Sequence, residues 1–175
     1  INKVSDIEGL KLRVIPNAIN VDWVKALGAN PTPLPFPELY AALEQGAVDG
    51  QENPVATINS AKLYEVQKHM VLSNHQYNPQ SVLMSKKFYD GLSAAEKKIV
   101  EDAMVEASKF QRTQSRNLAG SITDNLRKNG MQITTLPASE MAILRDKMKP
   151  VIAKHGAAIA ATVEELQAEL AKLRK

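Results

Sequence analysis

The sequence predicts a mixed α/β fold, and three observations carry that expectation. The stretch GLKLRVIPN sets Leu10, Leu12 and Val14 against Lys11, Arg13 and Ile15, the period of two of a strand, and it ends at a Pro-Asn turn signal. AINVDWVKALGAN follows with an apolar stripe of Ala18, Val21, Val24 and Leu27 and a stop at Gly28, the pattern of an amphipathic helix. Farther on, Ser93 to Gly130 reads as one long capped helix set between strand-like segments. With 175 residues, 44% hydrophobic and 23% charged, the chain suffices for one or two domains and a real core.

The remaining elements fall in order. NPTPLPF carries three prolines in seven residues, so it must run extended, as an edge strand or a loop. PELYAALEQG reads as a short helix with Pro37 in its first turn and Gly46 at its stop. AVDGQENP reads as a turn-rich link and VATINSAKLYEVQK as another helix. HMVLSNHQY and QSVLMSKKF read as two strands with Asn78-Pro79 between them. Ser93 and Glu96 form a capping box. Helical throughout, Ala94 to Asn129 would run about 54 Å at about 1.5 Å per residue, longer than a small domain is wide. Its apolar residues form two groups, one from Ile99 to Phe110 and one of Leu118, Ile122 and Leu126, with the polar run QRTQSRN between them. That describes a rod with two apolar ends docked on two bodies; a break near Gly120 is the alternative. MQITTL reads as a short strand, and PASEMAILRDKMKPVIAKHG as a helix that Pro150 should end or kink. TVEELQAELAKLRK reads as a last helix, capped by Thr162 and Glu165 and closed by ordinary helix-end cations.

Composition removes several classes of function. Lys+Arg minus Asp+Glu is 22 − 19 = +3, spread without a block of one sign, so no nucleic-acid footprint is expected. No cysteine is present, which excludes disulfides, thiolate zinc sites and cysteine catalysis but does not fix the compartment. No apolar run reaches membrane-span length. The opening INKVSDIEGL lacks the basic start and apolar core of a signal peptide and begins abruptly, as if a chain were entered midway.

Motifs for chemistry are missing too. There is no G-x-S-x-G elbow, no H-E-x-x-H, no P-loop and no G-x-G-x-x-G. His69 and His75 are six apart, a spacing better suited to strand surface than to a metal. What remains is a recognition set. Arg13 at a strand end supplies a planar, always-charged donor fork suited to a carboxylate. Asn53 in a tight turn can donate and accept. Phe36 can supply a flat apolar wall. On residues alone a solvated strand arginine, a turn-forming Asn before Pro54 and a plain core Phe remain open.

The run GLKLRV…ALGANPTPLPFPELYAALEQGAVDGQENP…KLYEVQKHMVLSNHQY resembles the DctP-type solute-binding proteins of TRAP transporters, clearly over about residues 6–130 and more loosely to the C-terminus. The resemblance implies an extracytoplasmic, periplasmic binding protein of two α/β lobes joined by crossing strands and a long helix. Such a protein is not an enzyme, needs no cofactor or metal, and hands an organic acid to an ion-gradient-driven permease. It assigns Arg13 to the ligand carboxylate, Asn53 and Phe36 to the pocket, and Asn17, in the turn after the Arg strand, to the cleft lining. A carboxylate-sensing module uncoupled from transport is the alternative function.

Members of that family are much longer than this chain, so the resemblance implies an incomplete, C-terminal part of the fold. It divides the chain into a second-lobe segment with the binding strand and turns (1–78), a crossover and first-lobe segment (79–117), and the rest of the second lobe with the C-terminal helices (118–175). Val82, Met84, Phe88, Val100, Met104 and Phe110 are then expected to form an exposed patch. That patch, over residues 80–110, would meet the family's N-terminal half or a second copy of the chain.

Overall fold

The computed structural model describes residues 1–173; the last two residues of the terminal LAKLRK run lie outside the described residues. The elements are β1 (Lys11–Val14), α1 (Ala18–Ala26), β2 (Asn30–Pro33), α2 (Leu39–Glu44), β3 (Gly50–Gln51), α3 (Val55–Ser60), β4 (His69–Leu72), α4 (Lys86–Asp90), α5 (Ala94–Lys128), β5 (Gln132–Thr135), α6 (Ala138–Gly156) and α7 (Ala160–Leu173). One sheet has the order β2-β1-β3, parallel throughout, and a second pairs β4 with β5 in parallel.

β2 is an edge strand, and its prolines explain how. Asn30 N donates inward to the Leu10 carbonyl and Leu34 N to the Val14 carbonyl, so the alternate positions Pro31 and Pro33 face away from β1. Missing donors are tolerated on that side. Gly28, at φ 81°, stands just past the end of α1 as the glycine stop requires.

Two apolar clusters hold the chain. Val14 of β1 and Val24 and Leu27 of α1 pack with Val4, Ile7, Leu136 and Leu144. Leu39, Leu43, Ile58 and Leu63 pack with Leu126 from the end of α5 and with Met131. α5 is one unbroken helix of 35 residues, about 52 Å long, with its capping box formed by Ser93 and Glu96. Gly120 does not break it. Leu126 is fully buried, while Ile99 is 67% and Phe110 65% exposed.

Several local expectations are corrected. The link AVDGQENP contains β3, a two-residue strand held by β1, too short for any periodicity to show. The segment after Pro54 is not one helix: α3 stops at Ser60, and Lys62, at φ 53°, turns the chain into a short turn over Leu63–Glu65. QSVLMSKKF forms no strand; it runs irregular until α4 begins at Lys86, because among the described residues no neighbouring strand pairs with it. Pro150 sits inside α6 without ending it. Thr162 lies within α7, which already starts at Ala160, so it caps nothing.

Candidate functional site

The order β2-β1-β3 fixes where a site can form. From β1 the chain runs out to β2 on one side, then crosses to β3 on the other. In open parallel sheets the crevice opens at the carboxyl ends of the strands, where the connections diverge in this way. The loops leaving those ends carry Asn17 after β1, Phe36 after β2, and Glu52 and Asn53 after β3.

Arg13 stands at that edge and is only 3% exposed, buried rather than solvated. Among the described residues its side chain makes one hydrogen bond, from Nε to the Leu34 carbonyl at 2.8 Å. Its two terminal nitrogens make none among the described residues. The Phe36 ring lies against the guanidinium, with Cζ 5.9 Å from the ring centroid, at the outer limit of a cation–π contact. Burial pulls the Arg13 pKa below the ordinary arginine value, and the charge of Glu52 opposes that pull. An arginine so placed remains charged and gains from an incoming carboxylate.

Asn53 is joined to Arg13 through the sheet. Gln51 is the register partner of Arg13 on β3, and Asn53 Nδ2 donates to Gln51 Oε1 at 2.6 Å. Gln51 Nε2 in turn donates to Gln67 Oε1 at 3.0 Å. Asn17 is committed differently. It is the N-cap of α1, its Oδ1 accepting from Asn20 N at 2.8 Å, and the residue is exposed. The structure therefore brings Arg13 and Phe36 into contact and ties in Asn53, while the Asn17 carbonyl is occupied in holding a helix end.

Other residues at this edge were not among the candidates. Asn20 is 3% exposed and accepts from Trp23 Nε1 at 2.9 Å. The Trp23 ring meets His75 at a centroid distance of 5.1 Å. His75 Nδ1 is 2.7 Å from Ser73 Oγ, and its Nε2 is buried 3.6 Å from Glu52 Oε2, too far for a hydrogen bond. One signal was available: Asn17, Asn20 and Trp23 are spaced by three, which places them along one helix face. The hollow lined by Ser85, Lys87, Phe88, Gly91 and Leu92 shares no residue with this cluster. Among the described residues, no group of acidic and histidine side chains could hold a metal ion, and no helix is long and apolar enough to cross a membrane.

The carboxyl edge of this parallel sheet thus presents a buried arginine with one hydrogen bond, beside an aromatic ring. Residues 1–158 match the family described as bacterial extracellular solute-binding protein, family 7, and the chain belongs to it. The sialic acid-binding periplasmic protein SiaP of Vibrio cholerae is 36% identical over 152 residues, 86% of this chain and 46% of that one. The 2,3-diketo-L-gulonate-binding periplasmic protein YiaO of Escherichia coli is 36% identical over 75% of this chain and 40% of its own length. A sugar acid binding protein from Advenella mimigardefordensis, solved with galactonate, superposes with a TM-score of 0.91 at 39% identity, covering 100% of this chain and 56% of that chain. A TRAP periplasmic solute binding protein from Ochrobactrum anthropi, its C-terminus bound in the ligand binding pocket, shares 52% identity at a TM-score of 0.86 over 99% of this chain and 55% of its own. The chain thus spans about half the length of the relatives it matches. Its fold is the corresponding part of a periplasmic binding-protein fold, and the family is one of binding proteins rather than enzymes.

Proposed function

We propose that this chain carries the carboxylate-gripping strand of the solute-binding subunit of a TRAP transporter. The subunit captures an organic acid outside the cytoplasm and delivers it to an ion-gradient-driven permease. One observation carries the reading: Arg13 is 3% exposed as a residue and, among the described residues, only its Nε is hydrogen-bonded. Burying a charge is costly unless it is paired. A ligand carboxylate on the two free nitrogens supplies the pair. Phe36 shapes the wall beside it, Asn53 adds polar contacts, and Asn17 lines the rim where α1 begins. The named ligands of the relatives, a sialic acid, a diketo sugar acid and galactonate, all bear a carboxylate, which favours the same class here.

The exposed face over residues 80–110, with Val82 at 73% and Phe88 at 61%, is where further polypeptide of the same protein or a second copy packs. Size-exclusion chromatography should show association rather than a compact monomer.

The clamp is tested by a thermal-shift screen of C4-dicarboxylates, sugar acids, sialic acids and keto acids, repeated with Arg13→Ala. Loss of the pair should weaken the best ligand by about 3–5 kcal/mol. Unchanged affinity in the variant sinks the clamp.

A further inference from the structure

We infer that Gln51 and Gln67 are positioning residues that fix which end of the Asn53 amide faces the cleft, and that they thereby select 2-hydroxy acids over the matching 2-keto acids. The inference rests on Arg13 as the carboxylate clamp and adds to it the chemistry beside the carboxylate.

A side-chain amide has one accepting end and one donating end. In the chain of three, Gln67 Oε1 accepts from Gln51 Nε2, and Gln51 Oε1 accepts from Asn53 Nδ2. With Gln67 accepting, Gln51 answers with nitrogen, which leaves its oxygen for Asn53, and Asn53 answers with nitrogen too. Asn53 Oδ1 then remains as the acceptor. Among the described residues no hydrogen bond occupies that oxygen. The relay lies beside the clamp, because Gln51 is in register with Arg13 and register partners share a face of the sheet. The Gln67 amide lies over Gly50, where a Cβ would be in ordinary contact with its Nε2 at 3.8 Å and tight only against Leu12 Cδ2 at 3.0 Å.

A carboxylate held by Arg13 places its own 2-substituent near this oxygen. A hydroxyl can donate to Oδ1; a keto oxygen can only accept and meets it lone pair to lone pair. An unmade hydrogen bond of this kind corresponds to about tenfold in affinity.

The test is isothermal titration of the purified protein with gluconate against 2-ketogluconate and lactate against pyruvate, reading the ratio within each pair. Wild type should favour the hydroxy acid by about tenfold. Gln67→Glu can only accept, so it locks the inferred direction and should leave the ratio within about twofold of wild type. Gln67→Lys can only donate; it reverses the relay, turns the Asn53 nitrogen outward and should erase or invert the preference. Gln51→Leu should lower it toward one, and thermal melts confirm that each variant is folded. A shift of about tenfold in Gln67→Glu, an unchanged ratio in Gln67→Lys, or no measurable binding of either pair overturns the inference. Arg13→Ala separates the two claims. If it spares both affinities the clamp itself fails; if it abolishes binding while Gln67→Lys changes nothing, only the relay fails.

Discussion

Around Val24 and Leu63 the large apolar side chains are covered from several directions, by β1, α1 and α6 in one cluster and by α2, α3 and the end of α5 in the other. Between Tyr77 and Leu118 the same kinds of residue stand open: Tyr77 at 88%, Leu83 at 89% and Phe110 at 65% exposure. α5 belongs to both regions, so its residue types cannot explain the difference. Leu126 is enclosed and Ile99 is bare on one continuous helix. A helix face becomes core only where another element meets it, and the first three-quarters of α5 finds little within these residues. α7 repeats the lesson, with Leu166 at 59% and Leu173 at 81% exposed.

Substitutions can break that comparison. The largest effect should come from Leu126→Ala, which opens a cavity in the second cluster and should cost about 2–5 kcal/mol in denaturant unfolding. Equal destabilisation by Phe110→Ala would show that the open region is packed in solution. Ser93→Ala removes the Oγ that accepts from Glu96 N and should cost about 1 kcal/mol, with the loss confined to the exposed end of α5 in hydrogen exchange.

Acid should loosen the packed region through a second contact. Asp22 of α1 accepts from Lys154 Nζ at 2.7 Å and lies 2.8 Å from His155 Nε2, a clasp between α1 and α6. Lys154 foremost, then His155, hold its carboxyl below the usual range. A depressed folded value means the clasp contributes above the ordinary Asp pKa of about 3.9 and is lost as pH falls through the lower folded value. Melting curves from pH 5 to 2 should therefore fall less steeply for Asp22→Asn than for wild type. Phe110→Ala should move the midpoint least, within about 0.5 kcal/mol, while weakening association in size-exclusion chromatography.

Elements with a strong local cause were legible in the residues. Gly28 and Gly46 stop their helices, the prolines put β2 at an edge, and Ser93 with Glu96 starts α5. What local pattern could not show depends on partners distant in the chain. β3 exists because Gly50 and Gln51 pair with β1, and QSVLMSKKF has the residues of a strand without a neighbour. The site divides the same way. Arg13, Phe36 and Asn53 stood out by residue type and by family resemblance. Alternation showed only that Arg13 leaves the face of Val14; its burial comes from the loop carrying Leu34 and Phe36 folding over it. Gln67 is sixteen residues from Gln51, and no spacing rule links them.

The prolines of β2 also decide in which direction the sheet can grow. Pro31 and Pro33 occupy the positions whose amide hydrogens an incoming strand would need, so nothing can be templated along that border. A chain that leaves large apolar surface in solvent nonetheless has one flank closed to fibril-like stacking. Any strand recruited to this sheet has to arrive beside β3, the flank that carries the amides next to Arg13.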